Sequence, residues 1–237
     1  MKSPDRTLSL YGNKESGIGV VEYERLPSVR PYFKHADSVV QIKVSGGSNG
    51  VGSGTLISED GLIATAAHVV PPDHIITVHT AHGQFNAQIV VRQLDDEHDR
   101  AAIELIGVPQ GLKFPVPPMT SLELTAGMRA ATVGHPQGLS AKFASLGSYF
   151  QDVDYNVADI KGIHPTFIMD TVLPGHSGGP IFDAKGNLAV ILTNRIIPIE
   201  SSWLAKINRG LVTGYRIEDL LDLIKEQRQY KIPGYVV

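Results

Sequence analysis

Pro174-Gly175-His176-Ser177-Gly178-Gly179-Pro180 sets one serine among three glycines, between segments that read as strands. Gly175 can adopt backbone angles forbidden to other residues, which lets its N–H and that of Ser177 turn toward one point. Two convergent N–H donors beside a hydroxyl make an oxyanion hole, which stabilises the charge developing on an attacked carbonyl oxygen. Gly178 and Gly179 leave room for a substrate backbone. The plain alternative is a glycine-rich turn, because strings of this kind also occur without chemistry.

A serine hydroxyl is a weak nucleophile until a base takes its proton, and the base needs an acid to orient it. Upstream, Gly52–Val70 reads GSGTLISEDGLIATAAHVV. A strand (Gly54–Ser58), a tight Asp60-Gly61 turn and a second strand (Leu62–Thr65) make a hairpin. It delivers His68 just past its end, after two small alanines. The acid candidate is Asp99, which stands directly before the apolar strand Ala101–Leu105. Asp95, Asp96 and Glu97 precede it, and such charge runs are usually solvated faces. Only its place before Ala101-Ala102-Ile103 separates Asp99 from them, and Asp96 is the fallback.

These three blocks, GSGTLIS…TAAHVV, DRAAIEL and PGHSGGPIF, resemble the trypsin-like serine endopeptidases, most closely the bacterial HtrA/Deg-type protease domain without a PDZ domain. The resemblance runs from Ser38 to Tyr215. The order His68, Asp99, Ser177 is that of the chymotrypsin barrel, not of subtilisin or the α/β-hydrolases. It implies an all-β fold of two six-stranded antiparallel β-barrels packed together. It also implies a catalytic triad of His68, Asp99 and Ser177, with an oxyanion hole from the backbone N–H groups of Gly175 and Ser177. One departure stands out: the family usually has Asp or Asn where this chain has His176. There is no Ile-Val-Gly-Gly-like activation sequence either, so activation by N-terminal insertion is not expected. His176 is expected to be a spacer with its side chain turned away, the alternative being a third titrating group at the site.

By the same resemblance, the primary pocket is walled by Ile191-Leu192-Thr193 and by Thr171-Val172-Leu173. Neither segment offers a carboxylate to pair with a substrate Lys or Arg, so a small or medium apolar residue is expected at the cleaved bond. The substrate-binding candidates are thus Thr171, Ile191, Leu192 and Thr193. His135-Pro136-Gln137-Gly138 reads as a turn, and in the family a similar Gly-x-Pro segment lies near the cleft. His74, His79, His82, His98 and His164 read as surface or packing residues. No cysteine or helix-spaced His/Glu set supports a metal site at His79 and His82, and no cofactor is implied.

The 237 residues suffice for two small cores, and 24 glycines and 15 prolines suit many short strands joined by turns. A net charge of −3 gives no reason to expect a nucleic-acid or anionic-membrane partner. The expected partner is a protein or peptide substrate, with the oligomeric state open. With no cysteines, no apolar run of membrane length and no hydrophobic leader, a cytoplasmic location is the expectation.

Residues 1–36 read as a polar lead-in with an edge strand at 18–23 and a linker from Leu26 to Pro31. The first barrel (37–118) is expected to use Ser38–Val44, Gly54–Ser58, Leu62–Thr65, Ile75–His79, Phe85–Val91 and Ala101–Leu105. Proline-dense Gly107–Pro118 is the connector. The second barrel (119–237) would use Met128–Gly134, Ala141–Phe150, Thr166–Met169, Gly179–Asp183, Leu188–Thr193 and Val212–Tyr215. Asp183–Asn187 closes a hairpin. A C-terminal helix follows, with Ile217, Leu220, Leu221 and Ile224 on one face, against the second barrel. The function these features imply is peptide-bond hydrolysis through an acyl-enzyme. A protease fold can also serve as a silent or highly restricted binding or effector module, which remains the alternative.

Overall fold

A computed structural model describes residues 30–47, 49–119, 123–157, 160–170, 172–196 and 210–228. The expected edge strand at 18–23, the lead-in to residue 29, and Thr171 lie outside the described residues.

Strands β1 (Val39–Ser45), β2 (Gly50–Leu56), β3 (Leu62–Thr65), β4 (Ile75–Thr80), β5 (Gly83–Leu94) and β6 (Asp99–Ile106) close in the order β1-β2-β3-β6-β5-β4. Strands β7 (Arg129–Gly134), β8 (Phe143–Val157), β9 (Ile160–Met169), β10 (Pro180–Asp183), β11 (Leu188–Ile196) and β12 (Gly210–Arg216) close as β10-β11-β12-β9-β8-β7. The fold is therefore two closed six-stranded antiparallel barrels with a C-terminal helix.

Side chains alternate across a strand, so a strand with one solvated face should alternate in polarity. The outer half of β1 does, with Val40, Ile42 and Val44 inward and Lys43 exposed. Strands at the seam between barrels do not, because both faces are covered. On β3, Ile63 fills the first barrel while Leu62 and Ala64 face the seam. On β7, Ala130 lies in the second barrel's interior, and Ala131 and Val133 in the seam cluster.

The hairpin before His68 turns at Gly61, whose φ of +104° suits glycine. The Ser58 hydroxyl accepts the Leu62 N–H at 2.9 Å and pairs with the Asp60 carboxylate, so the turn's polar groups are used.

Helix α1 (Arg30–Phe33) lies where a linker was expected. The proline punctuation concealed that Tyr32, with Ala36, is buried in the seam cluster. The C-terminal helix α2 (Ile217–Arg228) buries Ile217, Leu220, Leu221 and Ile224 fully, the face read from the sequence. Removing each such side chain from water contributes roughly 1.5–3 kcal/mol. Instead of lying on the second barrel alone, α2 packs against β5 and β6 as well as β11 and β12. It therefore clamps both barrels.

The β8–β9 hairpin runs well past the barrel wall, with a register shift at Tyr149/Gln151. Its outer part reaches the first barrel: the Lys161 N–H donates to the Asp96 carbonyl at 2.7 Å, and the two side chains pair. Beneath it lies a cavity of about 390 Å³ bordered by Asp99, Thr193, Tyr215 and Arg216.

Candidate active site

His68 sits in a single 3-10 turn, Ala67–Val69, that follows β3. Fully buried Ala66 and Ala67 let this turn lie flush on the barrel, and Val69 and Val70 anchor its far side. β3 pairs with β6 through Thr65 and Ala101, which carries the start of β6 to the same point. Asp99, the first residue of β6, grips His68 twice. Its Oδ1 accepts the His68 backbone N–H at 2.9 Å, and its Oδ2 lies 2.6 Å from the imidazole Nδ1. A carboxylate on Nδ1 favours the tautomer with the proton there, leaving Nε2 as an acceptor. Asp96 pairs instead with Lys161. Behind the pair, the buried Tyr215 hydroxyl donates to the Thr65 carbonyl at 2.8 Å. Burial and then the Asp99 charge hold its phenol well above the usual range, so it stays neutral.

Ser177 precedes β10 at the seam. The space a side chain would need at Gly178 is taken by Ser53, Thr65 and Ala66, so the serine's loop packs onto the end of β3 that carries His68. The Ser177 hydroxyl donates to the Thr193 carbonyl at 3.1 Å. Among the described residues it makes no hydrogen bond to His68.

Gly175 has φ +101°, and a Cβ there would strike the carbonyl of His135. The carbonyls along this loop are tied off one by one. Pro174 O accepts from the Gln137 N–H at 2.7 Å, and Gly175 O from the Ser53 hydroxyl at 2.7 Å. His176 O accepts from the Gly179 N–H at 2.9 Å, and Ser177 O from the Ser53 N–H at 2.8 Å. A trans peptide places N–H opposite C=O. Fixing Pro174 O and His176 O therefore directs the N–H groups of Gly175 and Ser177 to the other side of the loop. Among the described residues, neither N–H has an acceptor.

His176 is turned inward and buried, as a spacer should be, but it also makes a contact of its own. Its Nδ1 lies 3.0 Å from the Leu173 carbonyl, while Nε2 is buried without a formed hydrogen bond. Burial lowers its pKa. His135 is likewise buried, with Nδ1 3.2 Å from the Leu139 carbonyl. Burial above all, with nearby Lys142 and His176, brings its pKa down to about 4.

Of the expected pocket residues, Ile191 has its side chain fully buried in the seam cluster and Leu192 in the second barrel's core. Thr193 alone of the three meets the serine, through its carbonyl, while its hydroxyl donates to Thr213 O at 3.3 Å. The role of Ser53, a buried polar residue between two glycines of β2, escaped the sequence reading, though that pattern carried a signal. Gln137, at φ +52° in the turn Pro136–Gly138, lies in the segment read from the sequence as a turn near the cleft.

Paired closed barrels with these groups at their seam define the chymotrypsin architecture. The chain belongs to the trypsin-like peptidase family, whose domain model matches residues 52–190. It is 35% identical over 153 residues to the putative serine protease HhoA of Synechocystis sp., covering 61% of this chain and 36% of that protein. It is 31% identical over 184 residues to human serine protease HTRA4, covering 69% of this chain and 36% of the relative. The chain thus spans about a third of the length of the curated relatives it matches. Among solved structures, the active form of the Rv3671c protease from M. tuberculosis superposes with TM-score 0.67 at 21% identity, over 92% of this chain and 88% of that one. The HtrA-type protease AlgW with a tripeptide gives 0.68 at 19% identity, over 85% and 63%. These two likenesses concern the fold.

Proposed function

We propose that this chain is a serine endopeptidase that hydrolyses peptide bonds through Ser177, His68 and Asp99 and an acyl-enzyme intermediate. The observation that carries the reading is the two-point grip of Asp99 on His68, beside a serine loop whose carbonyls are tied away. The reading requires the Ser177 hydroxyl to leave Thr193 O for His68 Nε2 by rotation of its side chain. Such rotations are fast, and catalytic hydrogen bonds commonly tighten only with substrate bound. Ser177 Oγ then attacks the carbonyl carbon as His68 takes its proton. His68 returns that proton to the leaving amine, and Asp99 stabilises the imidazolium throughout. The acyl-enzyme is hydrolysed by water through the same base. The N–H groups of Gly175 and Ser177 hold the oxyanion, each such donor contributing about 3 kcal/mol to transition-state stabilisation. The substrate is a protein or peptide, with an apolar residue preferred at the cleaved bond.

The test is labelling by a fluorophosphonate, together with turnover of casein. Wild-type protein should label on Ser177 and Ser177→Ala should not; labelling that persists in the variant removes Ser177 from the role. The hydroxyl's bond to Thr193 O favours one second reading, a peptidase restricted to a particular partner. It would label while leaving casein intact.

A further inference from the structure

Ser53 spends every polar group it has, three of its four hydrogen bonds crossing from β2 to the second barrel. Its N–H donates to Ser177 O at 2.8 Å. Its hydroxyl donates to Gly175 O at 2.7 Å and accepts the His135 N–H at 2.9 Å. Its own carbonyl accepts the Thr65 hydroxyl at 2.8 Å. The side chain is fully buried, and the site is built around it: a Cβ at Gly134 would lie 2.9 Å from its hydroxyl and one at Gly179 3.4 Å from its Cβ. A hydroxyl is one of the few small groups that can donate and accept at once, and both capacities are used here.

We propose that Ser53 is a positioning residue for the oxyanion hole, holding the Gly175 and Ser177 carbonyls so that the N–H groups of Gly175 and Ser177 face the reacting carbonyl. The inference rests on the endopeptidase reading above. Its physical content is that the first barrel supplies the base and also the template on which the second barrel's loop is shaped. Without the hydroxyl, Gly175 O and the His135 N–H are both left unpaired in a buried place. The peptide between Gly175 and His176 then has a reason to turn toward another donor. The hole lies at both ends of that peptide. Its loss of shape affects the transition state, where charge sits on the oxygen, more than the bound substrate, where it does not.

The experiment compares wild type, Ser53→Ala and Ser53→Cys, each normalised to folded protein by circular dichroism. The assays are a chromogenic peptide ester, a peptide aldehyde that forms a tetrahedral adduct on Ser177, and the matching peptide acid, which forms none. For Ser53→Ala, kcat should fall about tenfold to a hundredfold, short of or reaching the ~10²–10³ of deleting a donor outright, with KM within about twofold. Aldehyde affinity should fall with kcat while peptide-acid affinity stays, and the pH profile of kcat should keep its position. Ser53→Cys, a weaker donor, should lie between, and it carries the test if the alanine variant fails to fold. A folded variant with wild-type kcat overturns the inference, as does a loss confined to KM or equal for aldehyde and acid. Wild-type protein that takes no fluorophosphonate refutes the endopeptidase reading itself, a result distinct from these.

Discussion

His68 and Asp99 stand on the first barrel with side chains 41% and 14% exposed, held by one carboxylate and by the register of β3 on β6. The Ser177 loop of the second barrel rests instead on His135 and His176, 4% and 2% exposed, and on a buried serine from the other barrel. The first arrangement follows from neighbours within one sheet. The second depends on polar atoms brought together from distant parts of the chain, in a place water does not reach. A half-exposed imidazole can exchange protons with solvent, as the acid–base role proposed for His68 requires. A buried loop keeps its shape only while its interior stays uncharged and its carbonyls stay bonded.

The largest expected effect lies at the chemistry proposed for both halves. Ser177→Ala should lower kcat on a peptide ester by about 10⁵–10⁶-fold while leaving the thermal midpoint nearly unchanged. Retained turnover would detach the loop from catalysis. Next in size is Asp99→Asn, which keeps the shape but supports the wrong imidazole tautomer, with an expected loss of about 10⁴-fold in kcat. An amide there can still accept the His68 backbone N–H, so the turn should survive; a much smaller loss in kcat would mean Asp99 only braces the turn.

How far these two halves could be read from sequence differs for the same reason. The hairpin ending at His68, and Asp99 ahead of an apolar strand, are local patterns, and the local pairing they imply is what forms. The four apolar positions of α2 were equally plain, because helical spacing shows in one segment. Its clamp on both barrels did not show, because a face records what it buries and not which neighbour buries it. Ile191 and Leu192 illustrate the limit at a seam strand: with both faces covered, nothing in the apolar run says which residue borders a pocket. The outer β8–β9 hairpin leaves the barrel, so burial gave little hydrophobic signal to mark its length. Ser53 meets Gly175 across 122 positions of chain, beyond the range of any periodicity.

Acid sharpens the contrast, with an effect smaller than either substitution. His135 titrates near 4 when folded, against about 6.5 for an unfolded histidine. Between those values the unfolded chain binds a proton that the folded chain refuses. The contribution to stability is therefore complete above pH 6.5 and lost as pH falls toward 4, amounting to about 3 kcal/mol. The lowered pKa of His176 acts in the same direction. Urea unfolding from pH 7 to 4 should show stability falling with acid, and His135→Leu should lessen the slope. An unchanged slope in that variant would mean the loop's interior accepts charge after all.

Asp96 provides the smallest and most discriminating effect, because it lies three positions from Asp99 in the same acidic run. Its side chain is exposed and pairs with Lys161 on the β8–β9 hairpin, while its backbone carbonyl takes the Lys161 N–H. Asp96→Asn removes the charge and leaves that backbone bond, and exposed pairs contribute little and are screened by salt. Activity at moderate salt should therefore match the wild type within about twofold, even as the neighbouring Asp99→Asn loses most of its turnover. If the two variants fell together, the acidic run would be acting as one field on His68. The register that sets Asp99 alone against the imidazole would then no longer account for the first barrel's half of the site.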